Sequence, residues 1–162
     1  MENYLSSVKK QFGHYKKLVE GAIEQVNDEE LLWKFNDESN SVAVIITHIA
    51  GNMISRFTDF LTSDGEKAWR NRDVEFEDKK ISREGLLLRW QQGWDCLFQA
   101  IDVLQSEDLK RIVTIRGEEH TVVEALQRQL SHIAYHVGQI VFIAKMIRDD
   151  KWKTLSIPRK SK

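Results

Sequence analysis

The spacing of apolar residues near the start of the chain limits its fold more than any other feature. Leu5, Val8, Phe12, Tyr15, Val19, Ala22 and Val26 alternate at intervals of three and four, the stripe of an amphipathic helix packed along a near-parallel neighbour. Such a helix needs partners, and three more long helical patterns follow. Asn36-Asp37-Glu38-Ser39-Asn40 is a polar loop ending at a good cap, Asn40 or Ser41, so a second helix runs from about Val42 to Leu61. Between the first two lies Asp28 to Trp33, a short turn.

Thr62-Ser63-Asp64-Gly65 breaks the second helix, and Glu66 to Lys80 is charged, aromatic and without periodicity, a long loop of the kind that often carries function. Ser82 caps a third helix with Leu86, Trp90, Leu97, Ile101 and Leu104 inward. Arg111 to Arg116 reads as extended, a short strand or arm. Thr121 and Glu124 make a capping box that opens a fourth helix reaching about Arg148. The sole proline, Pro158, lies beyond all four. The expected fold is all-α, one four-helix domain over residues 1–162, long enough to bury its own core.

Composition excludes several classes. Apolar residues make up 41% and charged residues 30%, so the chain is neither disordered nor membrane-spanning, and no apolar run approaches about 18 residues. The start, Met1-Glu2-Asn3-Tyr4, lacks the pattern of a signal peptide, which makes the cytoplasm the expected location. Net charge is −1 with Lys and Arg scattered, so nucleic-acid binding is not expected; Arg159-Lys160-Ser161-Lys162 reads as a solvated tail. Cys96 is the only cysteine, which rules out an internal disulfide and a Cys-based zinc cage.

The chemistry lies with histidine. His132 and His136 are four apart in the fourth helix, so both imidazoles project from one side and can share a metal. Taken alone, the pair favours core or hydrogen-bonded histidines over ligands. It lies beside the stripe of Leu126, Leu130, Ile133, Val137, Ile140 and Ala144 and faces the interior or a cleft. Ile133 stands where a zincin protease needs its glutamate, and Gln129 stands where a di-iron bundle needs its own. His48 shares a polar track with Gly51, Asn52, Ser55 and Asp59, opposite Ile46, Ala50, Met53, Phe57 and Phe60. By itself it reads as a surface histidine; as a third ligand it would line a groove. His14 and His120 have less to recommend them.

Three stretches give the chain a family likeness: Ser41–Met53, Asp64–Asp73 and His132–Ile140. They resemble the DinB-like, or YfiT-like, metalloprotein superfamily, and within it an uncharacterised bacterial branch. The resemblance covers nearly the whole chain. It implies an up-down-down-up four-helix bundle, often a homodimer, with one divalent metal on His48, His132 and His136. It also implies a small-molecule substrate, since characterised relatives include transferases that use low-molecular-weight thiols such as bacillithiol or mycothiol, and a maleylpyruvate isomerase. Three imidazoles leave zinc one open position, the arrangement of catalytic sites, and nitrogen ligands suit nickel equally.

By spacing, Gln129 and Asn52 are candidates to hold the outer nitrogens of His132 and His48. Trp69, Arg70, Arg72 and Asp73 form either a lid that anchors an anionic substrate through the two arginines or a loop pinned by packing and salt bridges. No carboxylate has a spacing that singles it out as general base. The expected activity is metal-dependent transfer of a thiol to a small electrophile. A metal-dependent hydrolase and a non-catalytic, metal-stabilised dimeric binding module are the alternatives.

Overall fold

The computed structural model describes residues 2–77 and 81–158; the basic tail Arg159–Lys162 lies outside them. Among the described residues the chain is mostly helical, with five α-helices and one two-stranded sheet. The predicted first helix is α1 (Glu2–Ile23). Its stripe of Val8, Phe12, Val19 and Ala22 is buried. The turn that follows is a single helical turn, α2 (Asp28–Leu31), closed by an Asn27–Glu30 capping box.

The second predicted helix is α3 (Val42–Phe57), with Ser41 rather than Asn40 as its cap. It stops four residues short of the expected Leu61. Thr58 leaves the helix, its hydroxyl bonding back to the Ile54 carbonyl, and Asp59 takes φ +49, a left-handed conformation that Asp tolerates. The long loop contains a 3-10 turn over Asp73–Phe76. The third predicted helix is α4 (Arg83–Asp102), capped by Ser82, and the fourth is α5 (Val122–Arg148), opened by the Thr121–Glu124 box.

The extended segment before α5 is half of a hairpin. Strand β1 (Ile112–Ile115) pairs antiparallel with β2 (Glu118–Thr121), turning through Arg116 at φ 58 and Gly117 at φ 76. Asp64 fastens that turn to the loop. Burial alone would raise its pKa, but backbone N–H groups of Glu66, Gly117 and Arg116 donate to the carboxylate and bring it to about 2.

Pairwise contacts give each helix a direction. Gly93 packs on Ala50 and Met53, and Cys96 packs on Ile54 and Thr58, so α3 and α4 run parallel. Tyr4 bonds the Val123 carbonyl while Gly21 meets Leu155, so α1 and α5 also run parallel. Phe12 meets Trp94, Lys9 pairs with Asp102, and Arg83 reaches the Ile23 carbonyl, which sets α1 against α4 in opposite senses. One contiguous core joins all four, with Phe12, Ile46, Met53, Trp90, Trp94, Leu126 and Ile140 among its members.

Val122–Lys151, which contains α5, is long and apolar enough by average composition to cross a membrane, although it holds no unbroken apolar run of that length. The reason is the stripe itself. Ala125, Leu126, Ile133, Val137, Ile140 and Ala144 are buried against the other helices, while most of the segment's apolar window is not.

Candidate metal centre

Two helices bring the three histidines together. His48, from the middle of α3, is 4% exposed and so is not the surface residue its helix alone implied. Its Nε2 lies 3.1 Å from Nε2 of His132 on α5, and the ring of His136 stands 5.1 Å from its own. The three rings are near-perpendicular in pairs, and one ring nitrogen from each lies within 4.8 Å of the others. Two nitrogens bound to one tetrahedral zinc stand about 3.3 Å apart for bonds of about 2.0–2.1 Å. The donor set and its spacing therefore fit a small divalent ion.

The outer nitrogens decide which tautomer each ring presents. His48 Nδ1 donates to Glu75 Oε2 at 3.0 Å, and His136 Nδ1 donates to Gln139 Oε1 at 2.7 Å, so both rings turn an Nε2 lone pair toward the cluster. Asn52 was the expected partner of His48; Glu75 from the long loop occupies that place instead, bringing a full charge where an amide brings a dipole. Gln129 is buried beside His132, yet its amide atoms and His132 Nδ1 make no hydrogen bond, and Asn52 Oδ1 makes none either.

Glu75 is the hub of the surroundings. It is 5% exposed, and Arg70 clamps it through Nε at 2.9 Å and Nη2 at 2.7 Å. Burial opposes the charge, but the His48 and Arg70 hydrogen bonds outweigh it and hold the pKa below the ordinary carboxylate range. Arg70 is thus engaged within the protein, whereas Arg72 lies over the Phe76 ring at 5.0 Å and is exposed. Trp69 is exposed too, so ion pairs rather than tryptophan packing pin this loop. Gly51 explains itself here: a Cβ would meet Glu75 Oε1 at 2.1 Å.

Burial, then the neighbouring His136 and His48 and the arginines, draw the His132 pKa down to about 3. Burial lowers His136 as well, partly offset by Gln139. Both rings are neutral at neutral pH, the form a metal requires. An unfolded His132 takes up a proton below about 6.5 while the folded one does not, so its contribution is complete above 6.5 and drains away toward pH 3. Metal-free protein should lose about 1–2 kcal/mol between pH 7 and pH 5 through this group. Urea unfolding at the two pH values reads it, and an unchanged loss in His132→Phe would reject the attribution.

Two cavities flank the cluster. His48 and His132 line one of about 210 Å³ together with Arg56, Arg116 and Arg128. Tyr135 and Gln139, the neighbours of His136, line a largely apolar one of about 730 Å³ with Trp33, Phe35, Phe142 and Met146. Glu75, Arg56 and Arg128 are the residues that sequence reasoning missed. Arg56 lies two turns beyond His48 and Arg128 one turn before His132, so a search for charges at those intervals would have found both; nothing periodic marks Glu75. Residues 1–161 match the family model described as "Protein of unknown function (DUF1572)". No curated protein matches the chain.

Proposed function

For this chain, which belongs to the DUF1572 family over residues 1–161, we propose a metal-dependent enzyme that transfers a low-molecular-weight thiol to a small electrophile. The observation that carries the reading is the convergence of His48, His132 and His136 with Glu75 behind His48. The helix directions, α1 with α5 and α3 with α4, support an up-down-down-up four-helix bundle of the DinB-like or YfiT-like kind. The metal is zinc or nickel, since three imidazoles without carboxylate or thiolate suit both.

Bound there, a divalent ion supplies a Lewis-acid position that lowers the pKa of a thiol or a water to near neutrality. The protein's own residues do the rest. Glu75 fixes the tautomer of His48 and Gln139 that of His136, so the ligand lone pairs are aimed before any ion arrives. The apolar cavity beside His136 accepts the less polar reactant. Trp33, Phe35, Tyr135, Phe142 and Met146 also leave an exposed apolar surface on α5 and the loop before α3, which supports a homodimer formed there.

The test begins with metal content. Protein purified without a His tag should carry close to one zinc or nickel per chain by plasma mass spectrometry, and His48→Ala and His132→Ala should lose it. The loaded protein should then consume an electrophile only when a thiol is present. Turnover without thiol would replace the transferase reading by a hydrolase, and protein that takes up neither ion would overturn both.

A further inference from the structure

The sequence scatters its arginines, but the fold collects five of them around one small cavity. Arg56 comes from α3, Arg70 and Arg72 from the long loop, Arg116 from the hairpin turn and Arg128 from α5. Two carboxylates answer them: Glu75 is held by Arg70, and Glu66 lies 3.1 Å from Arg116 and 3.8 Å from Arg70. Among the described residues Arg72 has only the exposed Asp73, at 3.9 Å. Arg56 and Arg128 have no carboxylate within 4.0 Å among the described residues.

Arg56 is the telling member. It is 5% exposed, and its Nε is buried without a hydrogen bond. A guanidinium does not escape burial by losing its proton at neutral pH, so a buried one without a counter-charge costs free energy. Here burial, then Arg128, draws the Arg56 pKa down to about 10, and Glu66, beyond ion-pair distance, offsets them only in part. Of the amide atoms on this wall, Gln129 Nε2 is an unpartnered donor; the acceptors Asn52 Oδ1 and Gln129 Oε1 are unpartnered too but do not bind an anion.

Guanidinium groups without a close carboxylate, the unpartnered Gln129 Nε2 donor and a cavity of about 210 Å³ describe a receptor for a compact oxyanion, because guanidinium geometry suits planar carboxylate and phosphoryl oxygens. We propose that this arginine-lined cavity binds a small dianion, a phosphoryl or dicarboxylate group, and holds it against the His48–His132 edge. That the dianion belongs to the substrate rests on the metal-centre reading; that it binds does not. The unmatched positive charge also draws such anions in from solution.

Calorimetric titration of metal-stripped protein at fixed ionic strength tests the binding alone, and stripping prevents the probe from sequestering metal. Inorganic phosphate and malonate are the probes. One site per chain is expected for at least one of them, and the stronger assigns the group as phosphoryl or dicarboxylate. Arg56→Met and Arg128→Ala should each weaken it by about tenfold or more, whereas Arg111→Ala, whose partner is Asp108, should not. Arg128 is exposed, so its variant reports even if Arg56→Met does not fold. Absence of binding by both probes at millimolar concentration, or affinity unchanged in the Arg128 variant, would overturn the proposal whatever the metal analysis returns.

Discussion

Replacing Glu75 by alanine should lower the unfolding free energy by about 3–5 kcal/mol and weaken metal binding by about 10–100-fold. The stability loss arises from what is left behind rather than from the bond removed. Arg70, its side chain 2% exposed, would keep a buried charge with only Glu66 at 3.8 Å to answer it. His48 would at the same time lose the acceptor that fixes its Nδ1–H. Glu75→Gln separates the two effects, since an amide oxygen still accepts from His48 while the charge facing Arg70 is gone. Denaturant melts of metal-free protein measure the first effect and zinc titration the second. A Glu75→Ala protein within about 0.5 kcal/mol of the parent would show that this ion pair contributes nothing to holding the loop.

A second large effect is expected where Gly93 of α4 packs against the backbone of α3. A Cβ at position 93 would stand 2.9 Å from Ala50 Cα and 2.8 Å from Met53 Cε. The methionine end can swing away, but the backbone of α3 cannot, so Gly93→Val must push the helices apart. We expect a loss of about 3 kcal/mol or more, at the upper end of overpacking costs, and reduced metal uptake because His48 lies only two residues from Ala50. Gly85→Ala, in the same helix but with nearest atoms at 3.4 Å, should stay within about 0.5 kcal/mol of the parent. If Gly93→Val unfolds at the same denaturant concentration as Gly85→Ala, the close approach is not holding the helices in place.

Much of this architecture is legible in the residues because helices announce themselves locally. The α1 stripe, Ser82 and the Thr121–Glu124 box each specify their element within a few positions, and His132 with His136 follows from the helical period alone. What is not legible depends on contacts distant in sequence. Asp59 adopts a left-handed turn where the helical pattern continues to Leu61, because capping by Thr58 and Ser63 outweighs periodicity there. Glu75 carries no periodic signal, since it reaches His48 across a non-helical crossover. Arg56 and Arg128 look like ordinary solvated charges until α3 and α5 are set side by side, which is why the net charge of −1 concealed a local cationic pocket.

The parallel course of α3 and α4 has a consequence for how such a site can diversify. Two neighbouring helices that point the same way oblige the chain to travel back along their length before the second begins. With α4 about 30 Å long, the stretch from Thr58 to Ser82 has residues in excess of what that return journey demands. The surplus is laid over the histidines, where it delivers Glu75, Arg70 and Arg72. The histidines sit on packed helices, while the residues around them sit on a connection that is tightly held only at Glu75 and Arg70 and exposed at Trp69 and Arg72. Changes to the exposed part of that return path, away from Glu75 and Arg70, can alter the surroundings of the three histidines and leave the helices that carry them untouched.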